Sequence, residues 1–253
     1  MRKTTKLKVK DEFYSCVVNT IERLKKSKGN HRPFHSQLLS EEILKASLFE
    51  RSFSTSFGQR VIEQISKIIA EDTKGTTDVQ NQKITIIDIP HDTTLSIHLH
   101  LQLLRDNKLG RSADWLEDIK SITVAKNKLE QQRVISDLWF RRGNIDHYFS
   151  IKTVKPNIDQ TMEAKRDILR LYSVFPECKA YFALPYNPYG EEKKLYAHNP
   201  PFKIFNMIKD EVVLIGKDYW DILGGKGTYS NLLQIAEEVG EDTRKLLDNI
   251  KVK

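Results

Sequence analysis

The sequence predicts an α/β (α+β) chain in which a central mixed β-sheet is flanked by helices and preceded by a helical N-terminal part. Three observations carry this. Apolar residues recur at helical spacing up to about residue 71. Between residues 133 and 154 the composition turns β-rich around the turn signal Arg142-Gly143-Asn144. Beyond Pro156, helix-like and strand-like segments alternate, an αβββαβ order that gives a mixed sheet with helices against it. The 253 residues, 39% of them hydrophobic, suffice for one domain. Its expected parts are a helical region 1–50, a core at about 54–190 and a C-terminal part at about 191–253.

Taken in order, residues 11 to 28 read as a helix, with Phe13, Cys16, Val17, Ile21 and Leu24 on one stripe and His31-Arg32-Pro33 as its break. Ser40-Glu41-Glu42 caps a second helix to about Phe49. Ser54-Thr55-Ser56 precedes a third, to about Glu71, whose stripe is Phe57, Val61, Ile65 and Ile68. Residues 72–82 are polar and read as a loop, Lys83 to Ile89 as a strand stopped by Pro90, and Asp114 to Lys120 as a short helix. Leu95 to Leu104 fits strand or helix. Arg133–Arg141 and Ile145–Val154 form a hairpin. Asp159 is the expected N-cap of a helix to about Val174. Strands at Lys179–Leu184 and Glu211–Ile215 follow, then helices at about 217–223, 228–239 and 241–251.

Composition narrows the function. The longest apolar runs fall short of the roughly 18 residues a membrane span needs. Met1 to Lys10 is basic without the apolar stretch of a secretory signal. Cys16 and Cys178 stand outside any CxxC or Cys/His metal spacing, so a reduced, cytoplasmic location is expected. A net charge of +7 suits a polyanionic partner and equally a lysine-rich solvated surface. His98 and His100 alternate on what reads as a strand, a metal pair or a surface face. The sequence carries no P-loop, zinc spacing or nucleotide-binding glycine motif.

The chemistry concentrates in the central hairpin. Its first strand carries Asp137 and its second Ser150-Ile151-Lys152, with Ser150 and Lys152 on one face by period-2 alternation. Cleaving a phosphodiester calls for a carboxylate to hold a divalent cation, and benefits from a lysine near the attacking water or the scissile phosphate. Antiparallel neighbours bring such residues together.

An Asp, a turn and then x-x-Lys on the next strand resembles the PD-(D/E)XK nuclease superfamily. The run Lys152-Thr153-Val154-Lys155-Pro156-Asn157 resembles the KTxKPN segment of TdeIII-like type II restriction endonucleases. Similar to that family too are Ala183-Leu184-Pro185-Tyr186-Asn187-Pro188-Tyr189-Gly190, Leu214-Ile215-Gly216-Lys217-Asp218-Tyr219-Trp220-Asp221, Gly224-Gly225-Lys226-Gly227-Thr228-Tyr229 and Ser54-Thr55-Ser56-Phe57-Gly58-Gln59-Arg60. The likeness spans roughly residues 45 to 240. It implies a restriction-endonuclease-like core and Mg²⁺-dependent hydrolysis of double-stranded DNA. It also implies a short palindromic target, of GGNCC type, read by a homodimer alongside a cognate methyltransferase.

Two residues depart from the pattern. Ser136 precedes Asp137 where proline is common, and Ser150 holds the second acidic position without a charge. Some enzymes of the superfamily keep S-x-K and draw the acid from the following helix, which here offers Glu163. The resemblance therefore implies Asp137 and Glu163 as metal ligands with the Ile151 carbonyl, and Lys152 orienting or deprotonating water. Glu63 resembles the glutamate many of these enzymes carry on an N-terminal helix. Lys155 and Asn157, Arg141 and Arg142 at the hairpin tip, and Asn187 and Tyr189 are candidate DNA contacts. Each also has a plain reading as a surface or turn residue. Two alternatives stay open: a nuclease of repair or junction resolution sharing Asp137 and Lys152, and a non-catalytic DNA-binding protein on a decayed nuclease fold, for which Ser150 argues.

Overall fold

The computed structural model describes residues 1–26, 32–126 and 128–251. Chain contacts divide these into two units: Met1–Ile69 with Ser230–Lys253, and Ala70–Tyr229.

The first unit is helical. Helix α1 (Lys3–Lys26) starts earlier than its apolar stripe predicts and buries Val9, Phe13, Cys16, Thr20 and Ile21. Residues 27–31, including His31 of the expected break, lie outside the described residues. After α2 (Pro33–Leu38), Ser40 caps α3 (Glu41–Ser56) by accepting from the Ile43 amide. The expected stop near Phe49 does not occur. Ser54 bonds Glu50 and Thr55 bonds the Arg51 carbonyl, so these hydroxyls work inside a helix instead of starting one. A π turn at Phe57–Val61 leads into α4 (Ile62–Asp72). Phe49, Phe53 and Phe57 stack in series, with Phe13 on Phe57. The last helix, numbered α9 (Thr228–Lys251), is one element where two were expected. Gly240 sits inside it without a break, at about 1 kcal/mol relative to alanine.

The second unit holds a five-stranded sheet in the order β1-β2-β3-β4-β5: β1 Thr76–Pro90, β2 Leu129–Arg142, β3 Ile145–Ile151, β4 Lys179–Leu184 and β5 Val213–Ile215. β1, β2 and β3 pair antiparallel, and β4 and β5 continue in parallel from β3. The predicted mixed sheet flanked by helices is the observed fold. β1 begins inside the stretch read as a loop: its outer half is polar, and positive φ at Asp78 (54°) and Gln82 (52°) interrupts the alternation that marks a strand.

Residues 91 to 105 form helix α5 (His91–Arg105) and not a strand. His98 therefore faces solvent while His100 turns inward, and the two share no face. Among the described residues no group of three or more His, Cys, Asp or Glu side chains could hold a metal. α6 (Trp115–Lys120) and α7 (Ile158–Val174) complete this side. The N-cap of α7 is Asn157, not Asp159, and forms a reciprocal capping box with Gln160. One sheet face packs Ile87, Val134, Tyr148 and Phe182 against Ile97, Leu101, Ile168 and Leu171 of α5 and α7. Lys165 of α7 is fully buried, bonded to Asp118 and the Ile204 carbonyl; Arg111 and His100 meet the same carboxylate at 2.6 and 3.1 Å. The hydrogen bond with His100 and the charges of Lys165 and Arg111 outweigh burial and hold Asp118 down to about 2. On the other face Phe149 meets Tyr219 of α8 (Lys217–Gly224). Cys16 and Cys178 are buried free thiols. Among the described residues no helix is long and apolar enough to cross a membrane.

Candidate active site

β2 and β3 pair from Arg142↔Ile145 to Leu138↔Phe149 and then part. Beyond that point β2 stays with β1, while Ser150 and Ile151 pair with Phe182 and Ala183 of β4. The parting frees the Ile151 amide from the β2 ladder. It donates instead to Asp137 Oδ2, at 2.6 Å. Lys152, the first residue past β3, is held by its own amide to the Ala183 carbonyl (2.9 Å) and brings Nζ to 3.5 Å from the same oxygen. Both side chains are about four-fifths buried. Such a pair is screened less than a surface pair.

Gln82 stands directly across the ladder from Asp137, because Lys83 pairs with Ser136 and Asn81 with Leu138. Its Nε2 lies 3.3 Å from Asp137 Oδ1, so both carboxylate oxygens are held. The positive φ of Gln82 is a conformation a non-glycine side chain adopts at some cost. Two more residues pin the connection between Lys152 and α7: Tyr196 Oη donates to the Val154 carbonyl, and His198 Nε2 lies 3.0 Å from the Pro156 carbonyl. Gln82, Tyr196 and His198 carry no motif that sequence reasoning could have used.

The structure thus brings Asp137, Ile151 and Lys152 together. Glu163 is on α7 with 61% of its side chain exposed, 3.9 Å from Arg166. Glu63 is in the first turn of α4 and half-buried. Asp167, one turn beyond Glu163, is only 20% exposed and lines a cleft with Ser136 and Ser150. Burial pushes its carboxyl above the usual range, against the pull of Arg166 and Arg170.

The expected DNA contacts separate in the same way. Arg141 is engaged through both arms with Asp146, at 2.8 and 3.2 Å. Arg142 spends its three nitrogens on Thr76 Oγ1 and the carbonyls of Ile222 and Leu223. Asn187 is buried and closes a turn, accepting from the Tyr189 amide and donating to the Glu192 carbonyl. Lys155, three residues beyond Lys152, is exposed with its ammonium 5.4 Å from the Tyr189 ring centre, so this cation and this ring stand together.

A family model described as type II restriction endonuclease, HinfI, matches residues 1–240. The chain belongs to the HinfI family of type II restriction endonucleases. It is 31% identical over 246 residues to the type II restriction enzyme HgiEI of Herpetosiphon aurantiacus, covering 87% of this chain and 82% of that one. It is 29% identical over 238 residues to HgiCII of the same organism, covering 87% and 84%. No solved structure matches significantly. A HinfI-family chain is a site-specific deoxyribonuclease whose substrate is DNA, and enzymes of this type generally use divalent metal ions. The donor set fits such an ion. The Asp137 carboxylate and the Ile151 carbonyl are hard oxygen donors, which suits a cation that keeps several waters and takes one or two carboxylates.

Proposed function

We propose that this chain hydrolyses both strands of double-stranded DNA at a short palindromic site, with Mg²⁺ as cofactor, as a homodimer in the cytoplasm. A GGNCC-type target, protected by a cognate methyltransferase, is the specificity that its resemblance to TdeIII-like enzymes suggests. The observation that carries the reading is the Asp137–Ile151–Lys152 cluster at the parting of β2 and β3. Asp137, fixed through both oxygens by the Ile151 amide and Gln82, would hold the cation together with the Ile151 carbonyl. When bound, the cation supplies charge stabilisation of the phosphoryl oxygens.

Lys152 is placed to orient the attacking water and to steady negative charge on the scissile phosphate. Its ammonium is held on a short connection between β3 and α7 and loses little freedom on reaction. Lys155, three residues beyond Lys152, and the Tyr189 ring beside it offer a cation and an aromatic face to the backbone and bases of the same duplex. Glu63 and Glu163 are the further carboxylates that the resemblance names for this chemistry. The test is incubation of unmethylated phage DNA with the protein and Mg²⁺. Discrete fragments with defined ends support the reading; a smear points to an unspecific nuclease, and intact DNA to a binding protein.

A further inference from the structure

By the resemblance, Ser150 leaves the nuclease site one negative charge short, and one carboxylate, Asp167, lines a cleft with it. Ser136 and Ser150, the neighbours of Asp137 and Ile151, line a small cleft between the sheet and α7. The α7 residues across it are Ala164, Asp167, Ile168 and Leu171. Asp167 is the carboxylate among them. Glu163 is four residues earlier, which at 100° per residue puts it about 40° further round the helix. It does not line the cleft.

The condition of the Asp167 carboxylate points the same way. It is four-fifths buried, yet its ionic contacts are long: 3.4 Å to Arg170 and 3.8 Å to Arg166. A carboxylate taken out of water without close donors is costly to the fold. Such a group is available to a cation entering from the Ser150 side. Asp137 is bonded to the Ile151 amide, and Asp167 lines the same cleft as Ser150, the residue before Ile151.

We propose that Asp167, and not Glu163, supplies the second carboxylate of the divalent-cation site, in place of the acid that Ser150 lacks. The inference rests on the nuclease reading above. Arg166 and Arg170 are its weak counter-ions in the absence of the cation.

The experiment is Mn²⁺ binding to the full-length, DNA-free protein, read from the electron paramagnetic resonance signal of free Mn²⁺. Circular dichroism checks the folding of each variant. Wild type and Glu163→Gln are expected to bind alike, and Asp137→Asn and Asp167→Asn at least tenfold more weakly. Ser150→Asp in the Asp167→Asn background should recover affinity to within about threefold, because it returns the charge to the same cleft. Wild-type affinity in folded Asp167→Asn overturns the inference, as does a loss confined to Glu163→Gln. Should Asp167→Asn fail to fold, the exchange Ser150→Asp with Asp167→Ser decides: it keeps the cleft's charge and should keep Mn²⁺, and a folded exchange variant that has lost Mn²⁺ overturns the proposal. Wild type that neither takes up Mn²⁺ nor cuts DNA overturns the nuclease reading itself. Wild type that cuts, and loses Mn²⁺ with Asp137→Asn but not with Asp167→Asn, overturns this inference alone.

Discussion

In the proposed reaction the charge of Lys152 has two neighbours to serve, Asp137 in the resting protein and the phosphate during cleavage. Lys152→Ala should therefore lower the cleavage rate by roughly 10²-fold or more, the range of a positioned proton-transfer or charge-stabilising group. DNA affinity should stay within about tenfold, since a group needed in the transition state contributes little to ground-state binding. Single-turnover cleavage alongside a filter-binding titration measures both; cleavage at the wild-type rate removes Lys152 from the mechanism. Asp137→Asn keeps the shape and loses the charge. Calorimetry should show its Mg²⁺ affinity reduced, and an unchanged affinity would count against Asp137 as a ligand. That these two side chains meet was legible in the sequence, because the signal is a spacing, an acid on one hairpin strand and x-x-Lys on the next. Gln82 was not, since nothing in a polar stretch announces that a strand runs through it opposite Asp137. Nor could spacing rank Glu163 against Asp167, one helical turn apart. Asn187 shows a further limit: nothing in the sequence announces that its amide closes a turn.

At the level of elements, the β2–β3 hairpin is anchored at its tip by Arg142, which ties it to the last carbonyls of α8. Cationic donors on exposed helix-end carbonyls suit the negative end of the helix dipole. Arg142→Met should destabilise the protein by roughly 2–4 kcal/mol, from the loss of charged hydrogen bonds. That corresponds to a melting temperature lower by about 4–16 °C for a chain of this size. DNA affinity of the folded protein should not change. Normal melting with weakened DNA binding would instead restore Arg142 to the DNA surface. The same hairpin carries His147, stacked on Phe140 at 4.9 Å and held down to about 4 by burial, then by Arg142 and Lys179, with Asp146 opposing. A folded value below the unfolded 6.5 means that the unfolded chain binds the extra proton first. The stability His147 confers is complete above about pH 6.5 and is lost as pH falls through about 4. Urea melts across that window should show His147→Phe with a flatter pH dependence than wild type; parallel curves would sink the argument. The hairpin was readable from its β-branched and aromatic residues and its glycine turn. α5 was not, because an alternation such as His98–Leu99–His100 mimics a half-buried strand, and only its packing on α7 and the sheet decides.

The whole molecule reads more clearly than its boundaries do. The mixed sheet followed from the order of strand-like and helix-like segments, which sequence patterning reports well. The helix ends did not, because the Ser54–Ser56 hydroxyls look like a start signal and Gly240 like a stop, and both are absorbed into longer helices. Net charge is the other property that belongs to the entire chain. At +7 the protein should approach DNA through lysines and arginines that displace condensed counterions. Each neutralised phosphate adds about 0.9 to the negative slope of log K against log salt, so six to ten contacts would lower affinity by roughly 10³- to 10⁵-fold between 50 and 200 mM salt. The measurement is a binding isotherm at several salt concentrations with Ca²⁺ in place of Mg²⁺, so that the duplex stays intact. A flat profile would mean that the basic surface does not meet the duplex. Lys155→Ala should make the slope shallower by about two phosphates if the proposed dimer forms, one proposed backbone contact being lost from each protomer. Arg141→Ala should leave it unchanged, because that guanidinium already holds Asp146 through two nitrogens and would have to break that pair to reach a phosphate. If instead Arg141→Ala flattens the profile and Lys155→Ala does not, the duplex lies along the hairpin tip, away from the Lys155–Tyr189 pair.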